Sequence, residues 1–306
     1  MNAKDREEVY LLEPLVSVVI STYHGVENIE RAVKSVLSQT YPNIELIIVD
    51  DNGEGTEAQI ATYNIIKKYD NIRYICHKKN KNGSAARNTG IKTAKGEYVA
   101  LLDDDDAYKP DKIAKQMTSM LEENESSLCY TGMNIHYPDG RVVTVVQDSK
   151  GYLFKDVMLR KICGQTSTLL FKKEAALSIG GFDESFNRHQ DWEFLDRMAY
   201  KFKFTVVPEV CVDRYFLTRN RANTPEKFEK NRIFYLKKMK PYIDLLDRDT
   251  RKQLVFGHYR AIGKEYLKQK KIAKACKYFI KCGNPIKTIA DLVGDYHKST
   301  HWKYLK

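Results

Sequence analysis

The chain has 306 residues, 42% hydrophobic and 30% charged, with a mean hydropathy of −0.52. That composition supports a sizeable core and excludes a disordered chain, and no apolar run approaches the ~18 residues of a membrane span. The formal charge of +11 is uneven: residues 225–306 hold 21 Lys/Arg against 8 Asp/Glu, while residues 1–224 are near neutral.

Six cysteines, at 76, 129, 163, 211, 276 and 282, contain no Cys-x-x-Cys pair. This argues against a zinc ribbon or disulfide framework and fits a reducing cytoplasm. The first ten residues are charged rather than apolar, so no secretory signal is expected. Residues 16–20 predict a buried strand running into Ser21-Thr22-Tyr23. Over 27–39, Ile29, Val33, Val36 and Leu37 fall on one helical face. Pro42 stops that helix, and 44–49 form a second apolar strand ending at Asp50 and Asp51. Residues 56–69 read as a helix and 72–76 as a short strand. Asn82-Gly83 marks a turn, with Ser84 expected to cap a helix through about Thr93. Residues 97–102 make another buried strand, ending in Asp103-Asp104-Asp105-Asp106. Apolar strands alternating with amphipathic helices predict an α/β fold, a mostly parallel sheet covered on both faces.

After Pro110 a helix reaches about Glu123. Residues 128–137 and 141–146 form a hairpin around Pro138-Asp139-Gly140, and 166–171 is a further strand. Gly180-Gly181-Phe182 turns, 190–201 is helical, and 204–208 with 209–213 reads as a final strand pair. From about 225 the chain is Lys-rich and helical, over 226–243, 247–268 and 271–282, so two domains are expected, 1–224 and 225–306. Tyr259, Ile262, Gly263, Tyr266, Ala275 and Phe279 have tetratricopeptide spacing, although a single unit is more simply a packed helical hairpin. The basic tail suits nucleic acid, an anionic lipid surface or an acidic partner, or it is a solvated helix surface. It is also where two subunits can pair.

Three strand ends carry polar residues: Ser21/Thr22, Asp50/Asp51 and 103–106. In open α/β sheets the ligand crevice lies at such ends. Four consecutive carboxylates cannot all face inward from a strand, and crowding them is unfavourable unless a cation sits among them. Oxygen-only donors suit Mg²⁺ or Mn²⁺, which bridge substrate phosphates. The plainer alternative is that Asp105, Asp106 or Asp111 caps the next helix. Asp51 can accept from a base imide or ribose hydroxyls, or form an Asx-turn. Residues 80–90 open a helix with small side chains that admit a ligand. There Arg87 holds a nucleotide, orders the Asp cluster or makes a structural ion pair.

Six segments, taken in order and spacing, resemble glycosyltransferase family 2 with the GT-A fold, over about residues 14–215. They are Val16-Ser-Val-Val-Ile-Ser-Thr-Tyr23, Ser35-Val-Leu-Ser-Gln-Thr-Tyr-Pro42, Glu45-Leu-Ile-Ile-Val-Asp-Asp51, Ala86-Arg-Asn-Thr-Gly90, Gly96-Glu-Tyr-Val-Ala-Leu-Leu-Asp-Asp-Asp-Asp106, and Gly180-Gly-Phe-Asp-Glu184 with Gln190-Asp-Trp-Glu-Phe194. The resemblance implies a nucleotide-sugar donor, with UDP favoured, a divalent metal and inversion at the anomeric carbon. Carried over, Ser21, Tyr23 and Asp51 line the base pocket. Asn80 and Arg87 hold the nucleoside, Asp103 or Asp104 contacts ribose, and Asp105 binds Mn²⁺ or Mg²⁺. Asp191 stands at the catalytic-base position, or else caps the helix 192–201; Glu193 is the second candidate base. His189 is a candidate acceptor contact; residues 163–167 are expected to line the donor-sugar pocket, with Gln165 a further candidate. There are two departures. No His follows the last core strand, which leaves Arg219 or Arg221 to neutralise the diphosphate. Asp104 also replaces a residue that is usually small.

The expected function is therefore transfer from a nucleotide-diphosphate sugar to a hydroxyl of a glycan or lipid-linked acceptor in cell-surface polysaccharide synthesis, at the inner face of the membrane. A nucleotidyltransferase needs a Gly-rich loop after the first strand, and residues 21–27 hold one glycine. A nucleic-acid partner is disfavoured by the acidic crevice. The alternatives are an inactive nucleotide-sugar-binding scaffold or a membrane-surface binder. Retention of Asp51, Asp103, Asp105 and Asp191 argues against lost activity.

Overall fold

The computed structural model describes residues 13–162, 164–216 and 224–282. The chain forms two compact units, Met1–Arg219 and Asn220–Lys306.

The first unit is built on nine strands among the described residues. In chain order come β1 (Val16–Thr22), α1 (Ile29–Leu37), β2 (Ile44–Asp50), α2 (Glu57–Ile66), β3 (Ile72–Cys76), α3 (Gly83–Thr93), β4 (Tyr98–Asp103) and β5 (Ala107–Tyr108). Then follow α4 (Lys112–Glu122), β6 (Ser126–His136), β7 (Val142–Val145), α5 (Phe154–Met158), a 3₁₀ turn (Thr166–Thr168), β8 (Leu170–Lys172), α6 (Lys173–Ser178), α7 (Gln190–Lys201) and β9 (Lys203–Tyr215). The order across the sheet is β3-β2-β1-β4-β8-β6-β9-β5, with β7 paired to β6. The half formed by β3-β2-β1-β4 is parallel; β8, β5 and β7 add antiparallel pairs.

Alternate residues of the apolar strands serve opposite cores. Val16, Val18, Ile20 and Ile48 pack against α1 and α4 through Ile29, Val33, Ile113 and Met117. Val19, Ile47, Val49 and Leu101 pack against α3 and α7 through Ala86, Ile91, Phe194 and Met198. Burial on both faces is why these strands read as uninterrupted apolar runs. Each such side chain contributes roughly 1.5–3 kcal/mol relative to exposure.

Four details differ from the sequence reading. Leu37 faces solvent, and Ala32 and Ser35 complete the buried face of α1 instead. Asn82, not Ser84, caps α3, its side chain accepting from Ala85 N. The expected strand over 166–171 is a 3₁₀ turn followed by the short β8. The expected pair 204–208 and 209–213 is one strand, β9: its pairing with β6 shifts register between Thr131↔Val207 and Gly132↔Val210. Pro208 falls in that irregularity, which is where a sheet tolerates a residue lacking an N–H.

The second unit contains α8 (Pro225–Lys238), α9 (Lys240–Ile243), α10 (Arg248–Lys268) and α11 (Ile272–Lys281). Thr224 and Asp247 cap α8 and α10. The residues with tetratricopeptide spacing form one packed hairpin: Ile262, Tyr266, Ala275, Tyr278 and Phe279 make its core, with Phe228 and Tyr259 against it. Glu229 accepts the hydroxyls of both Tyr266 and Tyr278. A Cβ on Gly263 would lie 2.3 Å from the Phe279 ring, so close approach of the two helices requires glycine there. No helix among the described residues is long and apolar enough to cross a membrane.

Candidate active site

The carboxyl ends of β1, β2 and β4 meet the amino ends of α3 and α7 around an open cleft of about 430 Å³. Ser21, Tyr23, Asp51, Asn80, Arg87, Asp103, Asp104 and Asp105 all line it, and Gln190 joins them.

Asp103 is the last residue of β4, and the chain then turns back, with Asp106 N donating to Asp103 O at 3.1 Å. That turn parts the four acids. Asp104 leans toward β1 and accepts from Thr22 Oγ1 at 2.6 Å and Tyr23 N at 3.3 Å. A Cβ on Gly25 would fall 1.8 Å from Asp104 Oδ2, so glycine makes the room. The other three offer carboxylate oxygens within 4.8 Å of one another. Asp106 is buried and accepts from Ser167 Oγ at 2.6 Å and Tyr215 N at 3.1 Å. Ser167 Oγ also accepts from Asp103 N at 3.1 Å. The 3₁₀ turn and the end of β9 thus hold the cluster from behind.

Burial, then repulsion from Asp103, pushes Asp105 up to about 6. The same causes lift Asp106 well above the carboxylate range, and burial takes Asp104 up to about 7. Three arginines approach the cluster. Arg87 donates to Asp103 Oδ1 at 2.7 Å and to Gln190 Oε1 at 2.8 Å. Arg31 donates to the Asp105 carbonyl at 2.6 Å while its guanidinium lies 3.9 Å over the Tyr215 ring. The charge of Arg214 favours ionised Asp105 and Asp106. Crowded oxygen donors with raised carboxyls are consistent with a hard divalent cation such as Mg²⁺ or Mn²⁺. Asp103 and Asp105, which line the cleft, would hold it; Asp106, whose oxygens serve Ser167 and Tyr215, would position them.

Asp51 is buried at the cleft wall with a full carboxylate. It accepts from His77 Nδ1 at 2.7 Å, Lys81 N at 2.8 Å, Asn80 Nδ2 at 2.9 Å and Asn82 N at 2.9 Å. Those four donors use the roughly four sites a carboxylate offers. Asp51 therefore shapes the wall at residues 80–82 as well as lining the cleft.

Asp191 lies in the first turn of α7. The helix starts at Gln190 with His189 as its N-cap, so Asp191 is not the cap. Burial raises its carboxyl; the Trp192 backbone N–H and the charges of Arg87 and Arg160 oppose this, and Asp103 adds to it. Two of these charges, Arg87 and Asp103, are also those of the acid cluster. Asp191 is not itself among the residues lining the cleft, nor are Glu193, His189 and Gln165. Glu193 is fully buried, accepting from Asp183 N at 2.7 Å and Arg197 Nε at 2.8 Å. Arg197 also donates to Ile179 O and Gly181 O, so the pair clamps the 179–183 turn onto α7. The His189 ring stacks on Trp192 at 4.0 Å, and Gln165 belongs to the turn that presents Ser167. Arg219 and Arg221 lie outside the described residues.

Residues 17–173 match the family model for Glycosyl transferase family 2. The chain belongs to that family. It is 31% identical over 252 residues to the amylovoran biosynthesis glycosyltransferase AmsB of Erwinia amylovora, covering 77% of this chain and 81% of AmsB. It is 32% identical over 164 residues to TuaG of Bacillus subtilis, described as a putative teichuronic acid biosynthesis glycosyltransferase, covering 53% and 64%. It spans 36% and 31% of longer relatives from Rickettsia felis and Rickettsia bellii. In fold it matches S. aureus TarS solved in complex with UDP-GlcNAc, with TM-score 0.55, 15% identity, and 85% and 89% of the two chains covered.

This family 2 glycosyltransferase also uses residues that sequence reading did not single out. Asn88, within the Arg-Asn-Thr-Gly segment, accepts from Phe182 N at 2.8 Å and donates to Phe182 O and Glu184 Oε1, both at 2.9 Å, tying α3 to the approach of α7. Ser167 lies within residues 163–167, and its hydroxyl bonds Asp103 N and Asp106 Oδ2 of the acid turn. Arg31 carries no signal: it is a single charge on an amphipathic helix until the fold brings it to Asp105.

Proposed function

We propose that this enzyme transfers a sugar from a nucleoside-diphosphate donor, UDP-linked by analogy with the ligands of TarS, to a hydroxyl of a glycan or lipid-linked acceptor, with inversion. Similarity to AmsB and TuaG, described as glycosyltransferases of amylovoran and teichuronic acid biosynthesis, supports a place in cell-surface polysaccharide synthesis. The observation that carries the reading is the acid cluster at the carboxyl edge of the sheet, with Arg87 bonded to Asp103 and Asp191 influenced by both.

In this reading Ser21, Tyr23 and the 80–82 wall cradle the nucleoside, and Arg87 and Asp103 fix the ribose-diphosphate end. A divalent cation held by Asp103 and Asp105, when bound, offsets charge growing on the leaving diphosphate. Asp191 takes the proton of the acceptor hydroxyl. That oxygen bonds the anomeric carbon while the carbon–oxygen bond to the diphosphate breaks on the opposite face. A carboxyl raised by burial is a stronger base than an exposed one, which suits this step.

A thermal-shift panel of nucleotide sugars with and without Mn²⁺ tests the reading. Stabilisation that needs nucleotide and metal together, and vanishes in Asp105→Ala, supports it. No shift with any nucleotide sugar in the presence of metal, or an Asp105→Ala variant that responds like the parent, overturns it.

A further inference from the structure

The α10–α11 hairpin carries more apolar surface than its own packing uses. The inner face of α11 is spent on Ala275, Tyr278 and Phe279. On the other side Ile272 and Ile280 are each 63% exposed, with exposed Cys276 between them. The spacing of four sets all three on one outer stripe. Leu267, at the end of α10, is exposed as well. A ten-residue helix packed on one side gains nothing in stability from two bare isoleucines on the other.

Charge surrounds this stripe. Residues 264–281 contain seven lysines and one glutamate. Glu226 of α8 is shared between Lys271 and Lys274, each at 3.0 Å, and Lys268 meets Glu265 at 3.2 Å. Lys281 lies over the Tyr259 and Tyr278 rings. The hairpin stays strongly positive after these pairings, with Lys270 and Lys277 exposed beside the stripe.

We propose that the outer face of α11 docks on an anionic lipid surface. Aliphatic side chains enter the boundary between head groups and acyl chains, and flanking lysines reach the anionic heads on flexible stems. Nucleic acid accounts for the lysines but not for the stripe: isoleucines gain nothing from phosphates, and base stacking calls for aromatics, which this face lacks. The inference stands apart from the transfer reaction and needs neither donor nor metal.

The test is flotation of the full-length chain, without divalent metal, using phosphatidylcholine vesicles and equimolar phosphatidylcholine–phosphatidylglycerol vesicles. The chain is expected to float with the anionic vesicles alone, and less as salt rises. The double variant Ile272→Asn/Ile280→Asn is expected to lower the partition coefficient about tenfold. Lys270→Gln/Lys277→Gln is expected to lower it about ten- to thirtyfold. Both variants alter exposed side chains, and unchanged melting temperatures verify their folds. Binding to neither vesicle, equal binding to both, or binding that survives the isoleucine changes overturns the proposal. So does tighter binding to a homopolymeric RNA that is indifferent to those changes.

Discussion

Asp104 and Asp105 are adjacent in sequence and serve opposite walls, one bonded to Thr22 and the other turned toward Arg31 and Arg214. The run of four aspartates disclosed that acids crowd the end of β4. Which of them point together depends on a turn stabilised by Ser167 and Tyr215, more than 60 residues away, and no local pattern carries that. The two candidate bases separate on the same ground. Glu193 is held by Asp183 N and Arg197, whereas Asp191 answers to Arg87 and Asp103. Asp191→Asn is expected to lower kcat by about 10²–10⁴-fold, with the metal-dependent thermal shift by donor retained. Glu193→Gln is expected to act through stability instead, costing about 2 kcal/mol as the Arg197 clamp loosens, read as a lower melting temperature with kcat within a few-fold of the parent. Equal kcat losses in both variants would contradict this division.

At the scale of elements, periodicity found β1, β2, β3, β4 and α7 because burial on one or two faces is written in the order of apolar residues. It failed at 166–171 and 204–213, where a 3₁₀ turn and a proline-bearing irregularity are settled by pairing with β6 and β4 rather than by local preference. What positions the site is a small number of ties between elements. Asn88 makes three hydrogen bonds from α3 to residues 182–184. Asn88→Ala leaves the buried Phe182 amide and carbonyl without these partners. It is expected to cost about 2–4 kcal/mol in denaturant unfolding and to lower kcat with Asp191 intact, because the start of α7 loses its anchor. Arg31 ties α1 to the acid turn through the Asp105 carbonyl. Arg31→Gln is expected to raise the Mn²⁺ concentration for half-maximal donor binding about tenfold, while the melting temperature without ligand changes little. An unchanged metal requirement would make that contact incidental.

For the whole molecule the telling residue is Lys112, at the start of α4 and far from any recognised motif. It is 0% exposed; its ammonium donates to Gln116 Oε1 at 2.6 Å and lies 3.9 Å from the Tyr108 ring centre. No carboxylate is among these contacts, and burial pushes the group down from 10.5 to about 7. Sequence alone showed a lysine after Pro110 at a helix start and gave no reason to bury it. Between pH 7 and 10.5 the unfolded chain keeps this proton and the folded chain releases it. The unfolded state then binds more protons, so stability rises with pH. The slope approaches about 1.4 kcal/mol per pH unit above the folded value. Below pH 7 both states are charged and the full penalty of burying the ammonium remains. Lys112→Met removes the penalty while keeping most of the volume, although it leaves Gln116 Oε1 without this donor. The net effect expected is stabilisation of about 2 kcal/mol at pH 6.5. The gain should shrink as the parent catches up toward pH 8.5, a window below the ordinary tyrosine range. Urea unfolding of both chains across that window measures the difference directly, since every other titrating group is common to the two. A gap that stays constant with pH would mean Lys112 is charged in the folded protein throughout, held by its hydrogen bond and the ring more strongly than burial opposes it.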